Sequence, residues 1–409
     1  MITREQIREL ARFEDKGACA LSFYFQHSAP RNKAHKEEMI LTKDLAREAL
    51  RGLEGKSKNG SARADLERIV RLSQDWRASG TRAKAVFACS AQGFWREYDL
   101  PARLSATQLF VDRRFHLTPL ARMLGAFPCL GVVLVDRHRA RMFDLRLGEL
   151  SEREGFFHPR TRRGRSDGFA GYDGGHAERR VADEARQHFK VVAEHLKDAM
   201  EKGSFEKWIL GCQETHWTQL QPQLHPYVAQ RLLGRFAADV AHMSRDEIRS
   251  HAERIFADSQ TKRCHDLTQE ALSQARSHSR GVTGLRRVLR SLELGEVQTL
   301  LVGEGYVAQA VECSGCGHLD AHLVSFCPVC GRETREVVDV AEAILPWVIR
   351  HDIELFYVKD DPEFDKVGNM AAVLRFRSDL KNVQPITSAP VQVPAKQSAA
   401  GPYRGVVNG

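Results

Sequence analysis

Two patterns in this sequence carry residues that could do chemistry. The first is Cys313-x2-Cys316 followed by Cys327-x2-Cys330, with glycine after each pair. A two-residue spacer lets one turn present both sulfurs to one ion, and four thiolates satisfy tetrahedral zinc. With every ligand supplied by protein, no coordination position remains for water or substrate. The Zn2+ expected here is therefore structural, and it would contribute roughly 10 kcal/mol to folding. Four unliganded thiols or a redox pair fit this spacing less well, and His318 is not needed once the cysteine set is complete.

The second pattern is Gly174-Gly175-His176 at the end of a cationic run. Glycines at 164, 168, 171, 174 and 175 interleave with Arg160, Arg162, Arg163 and Arg165. Such a stretch has no apolar periodicity, so it reads as an extended loop that packs no core. From Val181 onward Ala185, Phe189, Val192 and Leu196 recur on one helical face. Gly174, Gly175 and His176 therefore stand where a loop becomes a helix N-terminus, whose free N–H groups and dipole suit an anion or oxyanion. Imidazole titrates near ~6.5 when unperturbed, so His176 can serve as a general base. The arginines suit RNA phosphates. The plainer reading is a surface loop with solvated charges and a helix-capping histidine. Asp173 and Glu178 could orient His176, although acids at a helix start also serve the dipole alone.

At 409 residues the chain exceeds one ordinary core, and its formal net charge of +8 is modest for that length. The uneven basic residues fit a polyanion such as RNA better than a membrane, because no basic amphipathic helix or lipidation signal accompanies them. No stretch is long enough to span a bilayer and the opening residues lack signal-peptide character, so a cytoplasmic location and no membrane partner are expected. Cys19, Cys89, Cys129, Cys212 and Cys264 lie mostly beside apolar residues and read as buried free thiols of a reducing compartment.

The elements that must position these residues form an α/β chain of three domains. Residues 1–125 hold a strand near 18–25, two helices near 33–54 and 62–78 around a Gly55–Gly60 break, and a strand at 83–89. Residues 126–279 begin with a hairpin of strands at 131–135 and 140–147. The cationic loop, a helix over 176–202, a strand at 208–212, a helix around 227–233 and a long polar helix from 245 follow. Residues 280–378 read as an α/β sandwich with a zinc-ribbon insert. A helix starts at Leu285, strands follow at 297–302, 353–358 and 370–376, and a second helix lies at 340–350. The tail 379–409 lacks a core-forming pattern and is expected to be disordered.

Three segments resemble the archaeal and eukaryotic class-1 peptide-chain release factors and their bacterial, Pelota-related relatives. The run from Gly281 to Val302 is similar to the start of that family's C-terminal domain, and Val367 to Phe376 to its end. The cysteine insert between them is similar to one in archaeal members. Gly174-Gly175-His176, with Arg180 four residues on, is similar in placement to the family's Gly-Gly-Gln loop. The resemblance implies an N-terminal recognition-like domain, a middle catalytic-loop domain and a C-terminal α/β domain, arranged to mimic tRNA. It also implies the ribosome and peptidyl-tRNA as partners and leaves room for a translational GTPase.

Two departures shape the function to expect. Histidine replaces the family's glutamine at 176, so the backbone contribution can survive while the amide is lost. The Asn-Ile-Lys-Ser decoding loop is replaced by Gly55-Lys56-Ser57-Lys58-Asn59-Gly60, which argues against stop-codon reading. The expected activity is peptidyl-tRNA hydrolysis in codon-independent ribosome rescue, with Gly174, Gly175, His176 and Arg180 as the catalytic set. A tRNA nuclease using His176 as base and Arg180 as charge stabiliser is the rival within enzymes, and a non-catalytic ribosome-binding or recycling factor is the rival outside them. His216 and His225 read as ordinary residues.

Overall fold

The computed structural model describes residues 2–15, 19–26, 35–53, 59–78, 83–100, 106–126, 129–146, 148–157 and 174–378. Among these residues the chain is mixed α/β, with three larger sheets and one small one.

The first sheet begins after helix α1 (Arg4–Arg12), whose Thr3 cap and Gln6 form a reciprocal capping box. Strand β1 (Ala20–Gln26), helices α2 (His35–Gly52) and α3 (Asn59–Ala78), strands β2 (Ala83–Cys89), β3 (Phe94–Asp99) and β4 (Gln108–Asp112), and helix α4 (Thr118–Ala126) follow. The strands pair antiparallel in the order β3-β2-β1-β4. β1 is buried on both faces because successive side chains alternate. Leu21, Phe23 and Phe25 pack against Leu66, Ile69 and Trp76 of α3, while Tyr24 meets Leu10 of α1 and Leu120 of α4.

The central sheet comprises β5 (Leu130–Val135), β6 (Arg139–Arg146), β7 (Glu149–Phe157), β8 (Lys207–Gly211) and β9 (Leu232–Phe236), in the order β7-β6-β5-β8-β9. Helices α5 (Gly174–Glu201), α6 (Glu214–Leu220), α7 (Pro226–Ala229) and α8 (Arg245–Arg276) accompany it. β5, β8 and β9 run parallel, and the β5–β6–β7 part is antiparallel. α5 covers one face with Phe189, Val192 and Leu196. The first half of α8 covers the other with Ile248, Ala252 and Phe256.

The third sheet begins with β10 (Gly281–Thr283) and β11 (Val297–Gly303), with helix α9 (Leu285–Glu293) between them in the chain. β12 (Ala310–Cys313), β13 (Leu319–Asp320) and β14 (Thr334–Val337) form a separate small sheet inserted after β11. Helix α10 (Val340–Arg350), β15 (Glu354–Val358), helix α11 (Pro362–Lys366) and β16 (Met370–Leu374) complete the order β10-β16-β11-β15. α9 and α10 pack one face, and the second half of α8 packs the other through Leu267 and Ala271. α8 thus serves two sheets. At about 100° per residue, its two apolar sets lie about a quarter of a turn apart, so it shows no single stripe.

Several expectations need correction. The helix expected around 227–233 is the four-residue α7 followed by β9, an edge strand whose Gly234 lets α8 approach; a Cβ there would meet Ile255 Cγ2 at 2.7 Å. β7 continues directly from the hairpin, where only a loop was expected. Its polar sequence suits an edge strand, and Arg141 and Glu152 bridge it to β6 at 2.8 Å. β4, β10 and the three strands of the small sheet were also not anticipated. The cationic loop at 158–173 and the tail at 379–409 lie outside the described residues.

Candidate functional site

α5 begins at Gly174, so Gly174, Gly175 and His176 form its first turn, and Arg180 follows four residues after His176 on the same helical face. The helix is held to the central sheet by Ala185, Phe189, Val192 and Leu196, which are buried as the periodicity required, together with Ala193, which it did not include; the side chain of Val181 lies outside the described residues. Ala185 lies nine residues beyond His176 in sequence, about 14 Å along the helix axis. The anchoring core is therefore set back from the first turn, whose backbone N–H groups have no partner within the helix. The side chains of Gly174 to Arg180, like Arg160, Arg162, Arg163, Arg165 and Asp173, fall outside the described residues.

His216 and His225 take local roles. His225 Nδ1 accepts the Tyr227 N–H at 3.2 Å and caps α7. His216 on α6 faces Phe189, its Nδ1 has no hydrogen-bond partner among the described residues, and burial lowers its pKa.

The four clustered cysteines converge. Their sulfurs all lie within 4.8 Å of one another, with Cys313 to Cys330 at 3.3 Å and Cys316 to Cys327 at 3.7 Å. Metal–sulfur bonds of about 2.3 Å in a tetrahedron place the sulfurs about 3.8 Å apart, so the set lies close to the spacing that one ion needs. None of the nine cysteines forms a disulfide.

The local backbone explains why the spacing works. The Gly315 and Cys316 N–H groups point at Cys313 Sγ at 3.3 and 3.4 Å, and the Val329 N–H points at Cys327 Sγ at 3.4 Å. Gly317 and Gly331 close the two turns with φ of 74° and 71°, a region where a side chain is strained. The Cys316 N–H is the largest influence on the Cys313 thiol. Against burial, and with the Gly315 N–H, it lowers the Cys313 thiol, whereas Cys316, with the His318 N–H opposing, is raised by burial and by the neighbouring thiols, so the first thiolate of the cluster forms at Cys313. These four cysteines can hold a metal ion.

Sequence reasoning missed a set of charged residues where the first sheet meets the third. Glu342 of α10 accepts the Leu117 N–H at 2.8 Å and the Thr118 hydroxyl. Arg8 Nη2 reaches both oxygens of Asp352 at 2.5 Å, and Arg114 Nη1 reaches Glu312 at 2.6 Å. No local spacing announces any of them, because each partner comes from the far end of the chain.

Residues 116–257, which span the central sheet and the start of α5, match the family model of bacterial archaeo-eukaryotic release factor family 10. Among curated proteins the chain is similar to peptide chain release factor subunit 1 of Pyrococcus abyssi, 23% identical over 91% of this chain and 97% of that protein. It is also similar to the same subunit of Thermococcus kodakarensis, 24% identical over 68% and 73% of the two chains. Among solved structures it is similar to an archaeal translation termination factor, with 16% identity, 92% and 99% coverage and a TM-score of 0.24. Archaeoglobus fulgidus Pelota gives 12% identity, 92% and 93% coverage and a TM-score of 0.32. Scores this low leave the weight on the sequence matches. The chain is thus similar to archaeal peptide chain release factors along most of its length, and its central sheet matches the model of a bacterial branch of the archaeo-eukaryotic release factors.

Proposed function

We propose that this protein is a release-factor-like translation factor that acts on the ribosome and promotes hydrolysis of the peptidyl-tRNA ester, in codon-independent rescue of stalled ribosomes. The carrying observation is the placement of Gly174-Gly175-His176 as the opening turn of α5, inside the segment matched by the release-factor family. Water adds to the ester carbonyl, the bond to the 3′ ribose oxygen breaks, and the proton passes to that oxygen. Backbone N–H groups of the first turn stabilise the transient oxyanion. His176 accepts the water proton or orients the water, and Arg180 lies one turn on as a counter-charge.

In this reading residues 1–125 form a recognition-like unit, 126–279 carry the catalytic loop, and 280–378 form the C-terminal α/β unit. Arg160, Arg162, Arg163 and Arg165 hold ribosomal RNA or tRNA phosphates. Cys313, Cys316, Cys327 and Cys330 hold a structural Zn2+. The setting is the cytoplasm.

The test incubates stalled ribosome–peptidyl-tRNA complexes with the wild-type chain, His176→Ala and His176→Gln. Free peptide with intact tRNA from the wild type, and about 100-fold slower release by His176→Ala, supports the reading. Truncated tRNA would reassign the site to nuclease chemistry, and tight binding with neither product would reassign the chain to a non-catalytic role.

A further inference from the structure

The small cysteine-bearing sheet does more than surround its own ligands. β12 ends Glu312-Cys313, so a metal ligand directly follows a carboxylate whose side chain is only 3% exposed. Glu312 Oε1 receives Arg114 Nη1 at 2.6 Å, and Oε2 receives Arg335 Nε at 3.1 Å and Nη2 at 2.5 Å. Arg335 lies opposite Glu312 in the β12–β14 ladder. Arg114 belongs to the first sheet, two residues past the end of β4, and also reaches Glu14 at 3.4 Å.

We infer that the four-cysteine insert is a latch: metal held by Cys313, Cys316, Cys327 and Cys330 keeps β12 and β14 in register and so sets Glu312 where Arg114 of the first sheet engages it. The strands of the insert have four, two and four residues, too short to persist alone in water. The metal is what closes them, since the free energy of binding is folding free energy in so small a unit. If the register slips, the carboxylate between two guanidinium groups is misplaced. Arg114, 23% exposed, then loses its nearest counter-charge. Breaking one side of a buried pair costs far more than the pair contributes when intact. Metal occupancy is thereby transmitted to the contact between the first sheet and the cysteine-bearing sheet. The latch rests on the metal reading and is independent of the hydrolytic one.

The experiment uses the full chain loaded with zinc, then stripped by a chelator, with metal content and amide hydrogen exchange measured together. One zinc per chain is expected. Stripping should raise exchange in residues 108–117 at least threefold while leaving 130–145 in the central sheet unchanged. Arg114→Met should keep its zinc, show the raised exchange in 108–117 from the start, and gain nothing further on stripping. Unchanged exchange in 108–117 after complete metal loss overturns the latch. So does an Arg114→Met chain that responds to stripping as the wild type does. A folded chain that binds no zinc overturns the metal reading and the latch together.

Discussion

The Glu342 carboxylate and the His116 imidazole face one another at 3.3 Å, and burial drives both toward their neutral forms. Burial is the largest influence on Glu342 and pushes it up to about 7. The Thr118 hydroxyl and Leu117 N–H pull it back only in part, and the Asp339 charge adds to the rise. Burial likewise takes His116 down to about 4, with Arg122 assisting and Asp112 opposing. The ring stacks on Phe110 at 3.6 Å. Between about pH 4 and 7 the contact is therefore a protonated acid beside a neutral imidazole rather than an ion pair, with the proton on Glu342.

The two groups have opposite pH signatures. A Glu342 pKa raised above its unfolded value stabilises the fold fully below about pH 4.3, and that stabilisation is lost as pH rises through 7. A lowered His116 pKa stabilises above about pH 6.5 and loses that effect as pH falls through 4. The contributions oppose one another between these limits, and Glu342 alone continues to decline toward pH 7. Glu342→Gln keeps a group for Leu117 and Thr118 but cannot ionise. Its thermal midpoint should exceed the wild type's by about 2–4 °C at pH 8, with the difference reversing or vanishing at pH 5. Equal declines from pH 6 to 8 in both proteins would exclude this role for Glu342.

Cys313→Ser removes one of four ligands from a set whose sulfurs already sit at metal-binding separations. Zinc content should fall below one per chain, and proteolysis should begin within 313–334 while the central sheet stays protected. Retention of stoichiometric zinc by the variant, measured by elemental analysis, would refute the four-thiolate assignment.

The arginines of the cationic run make a separate prediction. If Arg160, Arg162, Arg163 and Arg165 neutralise RNA phosphates, replacing all four with alanine should weaken ribosome association. The slope of log affinity against log salt should also become shallower by roughly 3 units. A variant that binds more weakly with an unchanged slope would place the loss elsewhere.

What was legible in the sequence follows from how local each signal is. α5 and α9 each keep one apolar face, and the cysteine spacing encodes its turn within four residues, so all three could be read directly. α8 could be read only as a polar helix, because Phe256 and Ala271 serve different sheets from different faces. β7 and β9 are edge strands with polar or glycine-interrupted sequences, and β10, β12 and β13 are too short to carry a period. The contacts between the first and third sheets could not be read at all. Leu117 and Glu342 lie 225 residues apart, and only folding brings them together.

Gly281 tests the way α8 joins the third sheet. β10 passes so close to the end of α8 that a Cβ at position 281 would meet the Ala271 carbonyl oxygen at 2.3 Å and the Ala275 backbone nitrogen at 2.5 Å. Both are backbone atoms within the helix, so neither can rotate away as a side chain would. Gly281→Ala should therefore force β10 off α8 and destabilise the chain by about 1–3 kcal/mol, with the β10–β16 pairing exchanging its amides first. Gly52→Ala is the control: nothing lies within 4 Å of a Cβ there, and alanine at the end of α2 should be neutral or slightly stabilising. A Gly281→Ala protein with the wild-type melting temperature would mean that α8 and the third sheet are not packed this closely in solution.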